Sequence, residues 1–195
     1  MRKKSIFLGV LLFVFLTGCS SYKEYGKNII EISKDGQIEE TLIESFEESY
    51  YSEEELVSSI ESEVSSYNDG SESALVALES CEVEEQKAVV HMNYASADDY
   101  AVFNHVDMFH GDISGFAESP YHAYIDLKDM EGGEIPFSSI AASGEAYQVV
   151  VLDMDCILEV SGTICYVSEG VEPISKKAAN ITLGDEAVYA YIVYK

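Results

Sequence analysis

Tyr-Gln-Val-Val-Val-Leu-Asp-Met-Asp-Cys-Ile-Leu-Glu-Val, residues 147–160, reads as one long β-strand with a buried side and a polar side. From Val150 onward the even positions are Val150, Leu152, Met154, Cys156, Leu158 and Val160, while Asp153, Asp155 and Glu159 fall on the odd ones. A period of two is the pattern of a half-buried strand. It places Cys156 on the buried face. Three further strands are expected in this half, at 123–127, 163–168 and 187–194, with Gly132-Gly133, Pro136 and Gly144 punctuating the gap after the first.

The first half mixes hairpins with helices. Asp35-Gly36 marks a turn between strands 28–33 and 38–44. A three-residue loop over 35–37 would set Ile30 opposite Leu42 and Ile29 opposite Ile43, and it avoids the Glu31–Glu40 pairing of a two-residue loop. Ser52 followed by Glu55 is a capping box, and Leu56, Val57, Ile60, Val64 and Tyr67 then recur at helical spacing up to Asn68-Asp69-Gly70. The opposite face of this helix is acidic, which suits packing on a sheet rather than a membrane surface. A second hairpin, 75–83 with 87–94, is expected around Glu84-Glu85. Ser96 with Asp99 then starts a short helix through Tyr100, Phe103 and Val106. Strands in runs with helices set apart predict an α+β fold with a mainly antiparallel sheet.

The N-terminus is of another kind. Arg2, Lys3 and Lys4 precede an uncharged apolar run over 6–16, and Leu16-Thr17-Gly18-Cys19 closes it. The run is too short to span a bilayer, which takes about 20 residues. Residues 1–19 resemble the signal and lipobox of bacterial lipoproteins. That resemblance implies cleavage after Gly18, a diacylglyceryl (palmitate-type) lipid on Cys19, and a domain anchored on the extracytoplasmic face of a bacterial cell membrane. The expected organisation is a signal peptide over 1–18, a lipidated tether over 19–27 and one α+β domain over 28–195. The whole chain also resembles the small uncharacterised lipoproteins of Gram-positive bacteria, a likeness that implies no activity.

Without residues 1–18 the chain keeps eight Lys, no Arg and 36 Asp and Glu, a formal charge of −28. Seventeen acidic and no basic residues fall between Asp35 and Gln86. Such a surface repels nucleic acid, which is excluded as a partner. Hydrophobic residues at 47%, with 14 Tyr and 8 Phe, are far from the composition of a disordered chain. A protein, glycan or cationic surface is the expected kind of partner.

Candidate chemistry is sparse. Imidazole and carboxylate ligands suit zinc-like ions, and His105, Asp107 and His110, with His122 as a third imidazole, are the candidate metal ligands of an alternative reading as a metal-dependent hydrolase. His105 and His110 are five apart and would not share a helix face. No serine-hydrolase elbow or phosphate-binding glycine loop occurs. The expectation is a non-enzymatic binding or structural domain with no catalytic residues, bound metal or cofactor. Cys81, Cys156 and Cys165 remain once Cys19 is assigned to lipid. A two-residue turn at Ser161-Gly162 would leave Cys165 diagonal to Cys156, about 7–8 Å away and too far to bridge. A four-residue loop over 159–162 would set the two opposite each other. The expected state is three buried thiols acting as small hydrophobes, with a Cys156–Cys165 disulfide as the alternative.

Overall fold

A computed structural model describes residues 26–48, 50–122, 125–184 and 187–195. The signal, Cys19 and most of the tether lie outside these residues. The chain runs β1 (Ile29–Ile32), β2 (Ile38–Ser45), α1 (Glu53–Tyr67), β3 (Val76–Glu84), β4 (Lys87–Tyr94), α2 (Ala97–Asn104), β5 (Met108–Asp112) and α3 (Ile113–Glu118). It continues through β6 (Asp126–Asp129), β7 (Glu134–Pro136), α4 (Phe137–Ala141), β8 (Gln148–Leu152), β9 (Cys156–Val160), β10 (Ile164–Val167), β11 (Val171–Pro173), β12 (Ala178–Ile181) and β13 (Ala190–Tyr194).

The fold is α+β, with two mostly antiparallel sheets. One has seven strands in the order β11-β12-β9-β1-β2-β4-β3, the other six in the order β5-β8-β13-β10-β6-β7. Ile30, Ile38, Met92, Cys156 and Leu158 of the first sheet share a core with Val150, Leu152, Ile192 and Tyr194 of the second. The outer face of the six-stranded sheet, with Val149, Val151, Tyr191 and Val193, is closed by Phe116 of α3 and by Phe137 and Ile140 of α4. Ser52 and Ser96 cap α1 and α2 as expected, accepting from the N–H groups of Glu55 and Asp99. Ile60, Val64 and Tyr67 turn the apolar side of α1 onto the shared core.

The stretch 147–160 is not one strand. It breaks at Asp153–Asp155 into β8 and β9, which lie in different sheets. The period of two survives the break because both strands point their even residues into the same shared core. Val150, Leu152, Cys156, Leu158 and Val160 are all part of it, with Met154 packed against it. Val149 and Val151 are buried as well, on the helix-covered face, as expected of a strand covered on both sides. Asp155 fixes the corner by accepting the Leu183 N–H at 2.7 Å.

Other expectations shift with it. The β1–β2 loop is Lys34–Gly36, closed by the Ser33 N–H on the Gln37 carbonyl (3.0 Å). Ile30 therefore faces Glu40, and Ile29 faces Thr41, two residues from the expected register. A two-residue shift leaves every side chain on its own face of the sheet. Glu85 and Gln86, both at positive φ, make the β3–β4 turn one residue beyond the expected position. β9 and β10 form no hairpin, since β10 pairs with β13 and β6. The strand expected over 123–127 is β6, Asp126–Asp129, and residues 123 and 124 lie outside the described set. β5, β7, β11, β12, α3 and α4 are additions to the expected elements, all of them six residues or shorter.

The register brings one carboxylate into the core. Glu40 is 3% exposed and accepts hydrogen bonds from the phenols of Tyr94 (2.7 Å) and Tyr100 (2.8 Å). Burial raises its pKa, and the two phenols offset this only in part. The folded chain thus holds a proton on Glu40 where the unfolded chain has lost it. This contribution to stability is full below the unfolded value and is lost as pH rises through the folded one. Glu40→Gln, which mimics the protonated acid, is expected to stabilise the protein at pH 7 by about 1 kcal/mol and to flatten the stability change between about pH 7 and 5. Thermal melts at matched pH measure both. A variant less stable at pH 7, with the wild-type pH dependence intact, would contradict a raised Glu40 pKa as the cause.

Candidate functional site

Of the candidate ligands only His110 lies in β5, with His105 and Asp107 before it and His122 after α3. His105 ends α2 in the left-handed conformation (φ 56°) and is exposed. Asp107, in the following link, accepts from the phenols of Tyr189 (2.8 Å) and Tyr121 (3.2 Å). His110 points to the face that the two sheets share, whereas His122 packs edge-on against Phe116 and Phe137 on the other face (centroids 5.6 and 6.5 Å). The four candidate ligands therefore do not converge. Among the described residues no three His, Cys, Asp or Glu side chains are grouped to hold a metal ion.

Asp107 with its two tyrosines is a clip between segments distant in sequence. The bond to Asp107 pushes the Tyr189 phenol up to about 12, and burial followed by Asp107 raises that of Tyr121. Both phenols stay protonated at neutral pH and serve as donors. Cys81, Cys156 and Cys165 are free thiols, but only Cys156 is buried as expected, Cys81 and Cys165 being half-buried, and Cys156 and Cys165 lie on strands of different sheets. Burial pushes all three thiols up, away from a reactive thiolate.

His110 instead borders a cleft of about 370 Å³ where the β1–β2 loop, the β4–α2 link and the adjacent strands β5 and β8 meet. Its polar lining includes Lys34, Asp35, Ser96, Asp98, His110 and Gln148. His110 Nε2 lies 2.8 Å from Tyr194 Oη, with the two rings nearly parallel at 9° and 6.1 Å apart. Burial raises the Tyr194 pKa and Ser161 offsets this only in part, so the phenol stays protonated at pH 7. A Tyr194 hydroxyl that donates to Nε2 leaves the ring proton on Nδ1, whereas an Nε2–H that donates to Tyr194 leaves Nδ1 as an acceptor. Burial lowers the His110 pKa, so the ring is neutral at pH 7. The Nδ1 edge faces Gly36, where an added Cβ would sit 3.5 Å away. Gly36, at φ 81°, lets the loop pass over the ring.

His110 stands out in the sequence, but its partners do not. Tyr194 lies 84 residues further on. Asp35 and Ser96 stand out only as turn and cap residues, and Lys34 and Gln148 carry no local signal.

Tyr194→Phe removes the phenol that fixes the ring. It is expected to cost about 1–2 kcal/mol, because a partly buried Nε2 loses its partner, and to mix the two tautomers. ¹⁵N chemical shifts of the His110 ring report this directly. A wild-type ring that already shows both tautomers in comparable amounts would contradict a ring fixed by Tyr194. Compared with protein-family models, curated proteins and solved structures, the chain matches none.

Proposed function

We propose that the chain is a bacterial lipoprotein, anchored through lipid on Cys19 to the extracytoplasmic face of the cell membrane, and that its folded domain binds a partner rather than catalysing a reaction. The observation that carries this reading is the N-terminal sequence itself, with Arg2, Lys3 and Lys4, the apolar run over 6–16 and Leu16-Thr17-Gly18-Cys19. Two acyl chains hold a protein to a bilayer far better than one, at about 0.8 kcal/mol per buried methylene.

The start of the described domain suits a tethered role. The Lys27 ammonium donates to Asn180 Oδ1 (2.8 Å), the Ile181 carbonyl (2.7 Å) and Thr182 Oγ1 (2.6 Å). Two residues later the chain enters β1, flanked on both sides in the seven-stranded sheet. Load from a tether would fall first on this lysine and then on a central strand. Exposed aromatic surface at Tyr50 (72%) and Tyr51, beside Glu47, Glu48 and Glu53, supports contact with a protein, glycan or cationic partner.

Cys19→Ala is expected to abolish incorporation of labelled fatty acid and to shift the protein from the membrane to the soluble fraction or to an uncleaved precursor. Mass spectrometry of the membrane-bound protein checks the same point. An unmodified Cys19, or a mature N-terminus other than Cys19, would overturn the proposal.

A further inference from the structure

We infer that the cleft between the β1–β2 loop and His110 is a binding site for a small zwitterion, between a single amino acid and a dipeptide in size. The ligand carboxylate faces His110 and Lys34, and its ammonium group faces Asp35 and Asp98. The inference deepens the reading of the domain as a binding module and rests on it.

The cleft is built rather than incidental. Its floor is the junction of two sheets that share a core, and its histidine is held in one orientation by Tyr194, itself 4% exposed. At about 370 Å³ it lies near the lower end of the range for small-ligand pockets, roughly 300–1,000 Å³.

The lining selects the ligand class. The Lys34 ammonium is a donor, the carboxylates of Asp35 and Asp98 are acceptors, and Gln148 and the neutral His110 ring each carry one group of either kind. A plain anion would meet two carboxylates in a chain whose formal charge is −25. A plain cation would leave Lys34 opposed to it. A sugar ring needs an apolar or aromatic platform, and apart from His110 the nonpolar part of the lining is only alanine and glycine. A molecule with both charges offers a partner to the Lys34 ammonium and to the two carboxylates alike, which is how specificity arises in a small site.

The site is tested on the full-length protein in detergent micelles, with L-alanyl-L-alanine as the probe and the ¹⁵N-labelled His110 ring as the reporter. The expected result is a saturable shift of the His110 resonances, with a dissociation constant of about 10 μM to 1 mM. N-acetyl-L-alanine and L-alaninamide, which each lack one charge, should bind at least about tenfold more weakly, a difference of about 1.4 kcal/mol. Lys34→Met and Asp98→Asn, both at exposed positions, should each weaken the dipeptide about tenfold while leaving the thermal midpoint in place. The single-charge probes on the unaltered protein decide the question even where a variant fails to fold. No saturable shift, equal binding of the single-charge probes, or tighter binding of N-acetylglucosamine would overturn the inference. Lipid labelling at Cys19 is independent of the cleft, so a lipidated protein that ignores the dipeptide overturns the cleft alone.

Discussion

The burial of one apolar face between two sheets is the constraint from which the rest of this structure follows. Residues 147–160 supply an interior strand to each sheet, β8 between β5 and β13, and β9 between β12 and β1. From Val150 onward their even-numbered side chains meet in one core. Fully burying a Val or Leu side chain is worth about 1.5–3 kcal/mol, so a polar residue at any of these positions would weaken both sheets together. The corner at 153–155 is polar for the same reason. The chain has to leave one sheet and enter the other there, and Asp155 closes the turn against the Leu183 N–H.

Polar groups that enter this core are held by phenols rather than by cations. Glu40 sits under Tyr94 and Tyr100, and His110 sits against Tyr194. Neutral partners satisfy hydrogen bonds without adding charge to a low-dielectric interior, where an unpaired ion is costly. This arrangement fits a chain so short of basic residues. Its only ion pair among the described residues is Lys195 with Glu145, at the surface (3.0 Å), and surface pairs contribute little. The fold therefore relies on apolar burial and tyrosine hydroxyls, and the surface is left acidic. The His110 cleft opens where the two sheets meet, so the contacts that hold the core also position the ring.

Features that depend only on neighbouring residues are legible in the sequence. Ser52 and Ser96 announce α1 and α2 because a cap needs only its own helix, and β4 shows its buried side in Ala88, Val90, Met92 and Tyr94. Positions that depend on distant partners are not legible. The β1–β2 register turns on Ser33 closing the loop and on Glu40 finding phenols 54 and 60 residues away. The division of 147–160 is hidden because a strand that changes sheets across a shared core keeps its alternation. β11 and β12 are short and take their register from β9. The cleft is visible only as fragments, a turn at Asp35-Gly36, a cap at Ser96 and a histidine at 110. Three separate elements and the β13 terminus have to come together before these become one site.

The claim that a single shared core unites both sheets is tested most directly by native-state hydrogen exchange in increasing denaturant. β8 and β9 are each flanked on both sides, so their interior amides exchange only when the structure around them opens. A shared core predicts that the amides of Val150 and Val151 in one sheet, and of Ile157 and Leu158 in the other, converge on a single opening with one free energy. Separate openings for the two sheets, differing by more than about 1 kcal/mol, would mean that each sheet is stable on its own and would contradict that claim.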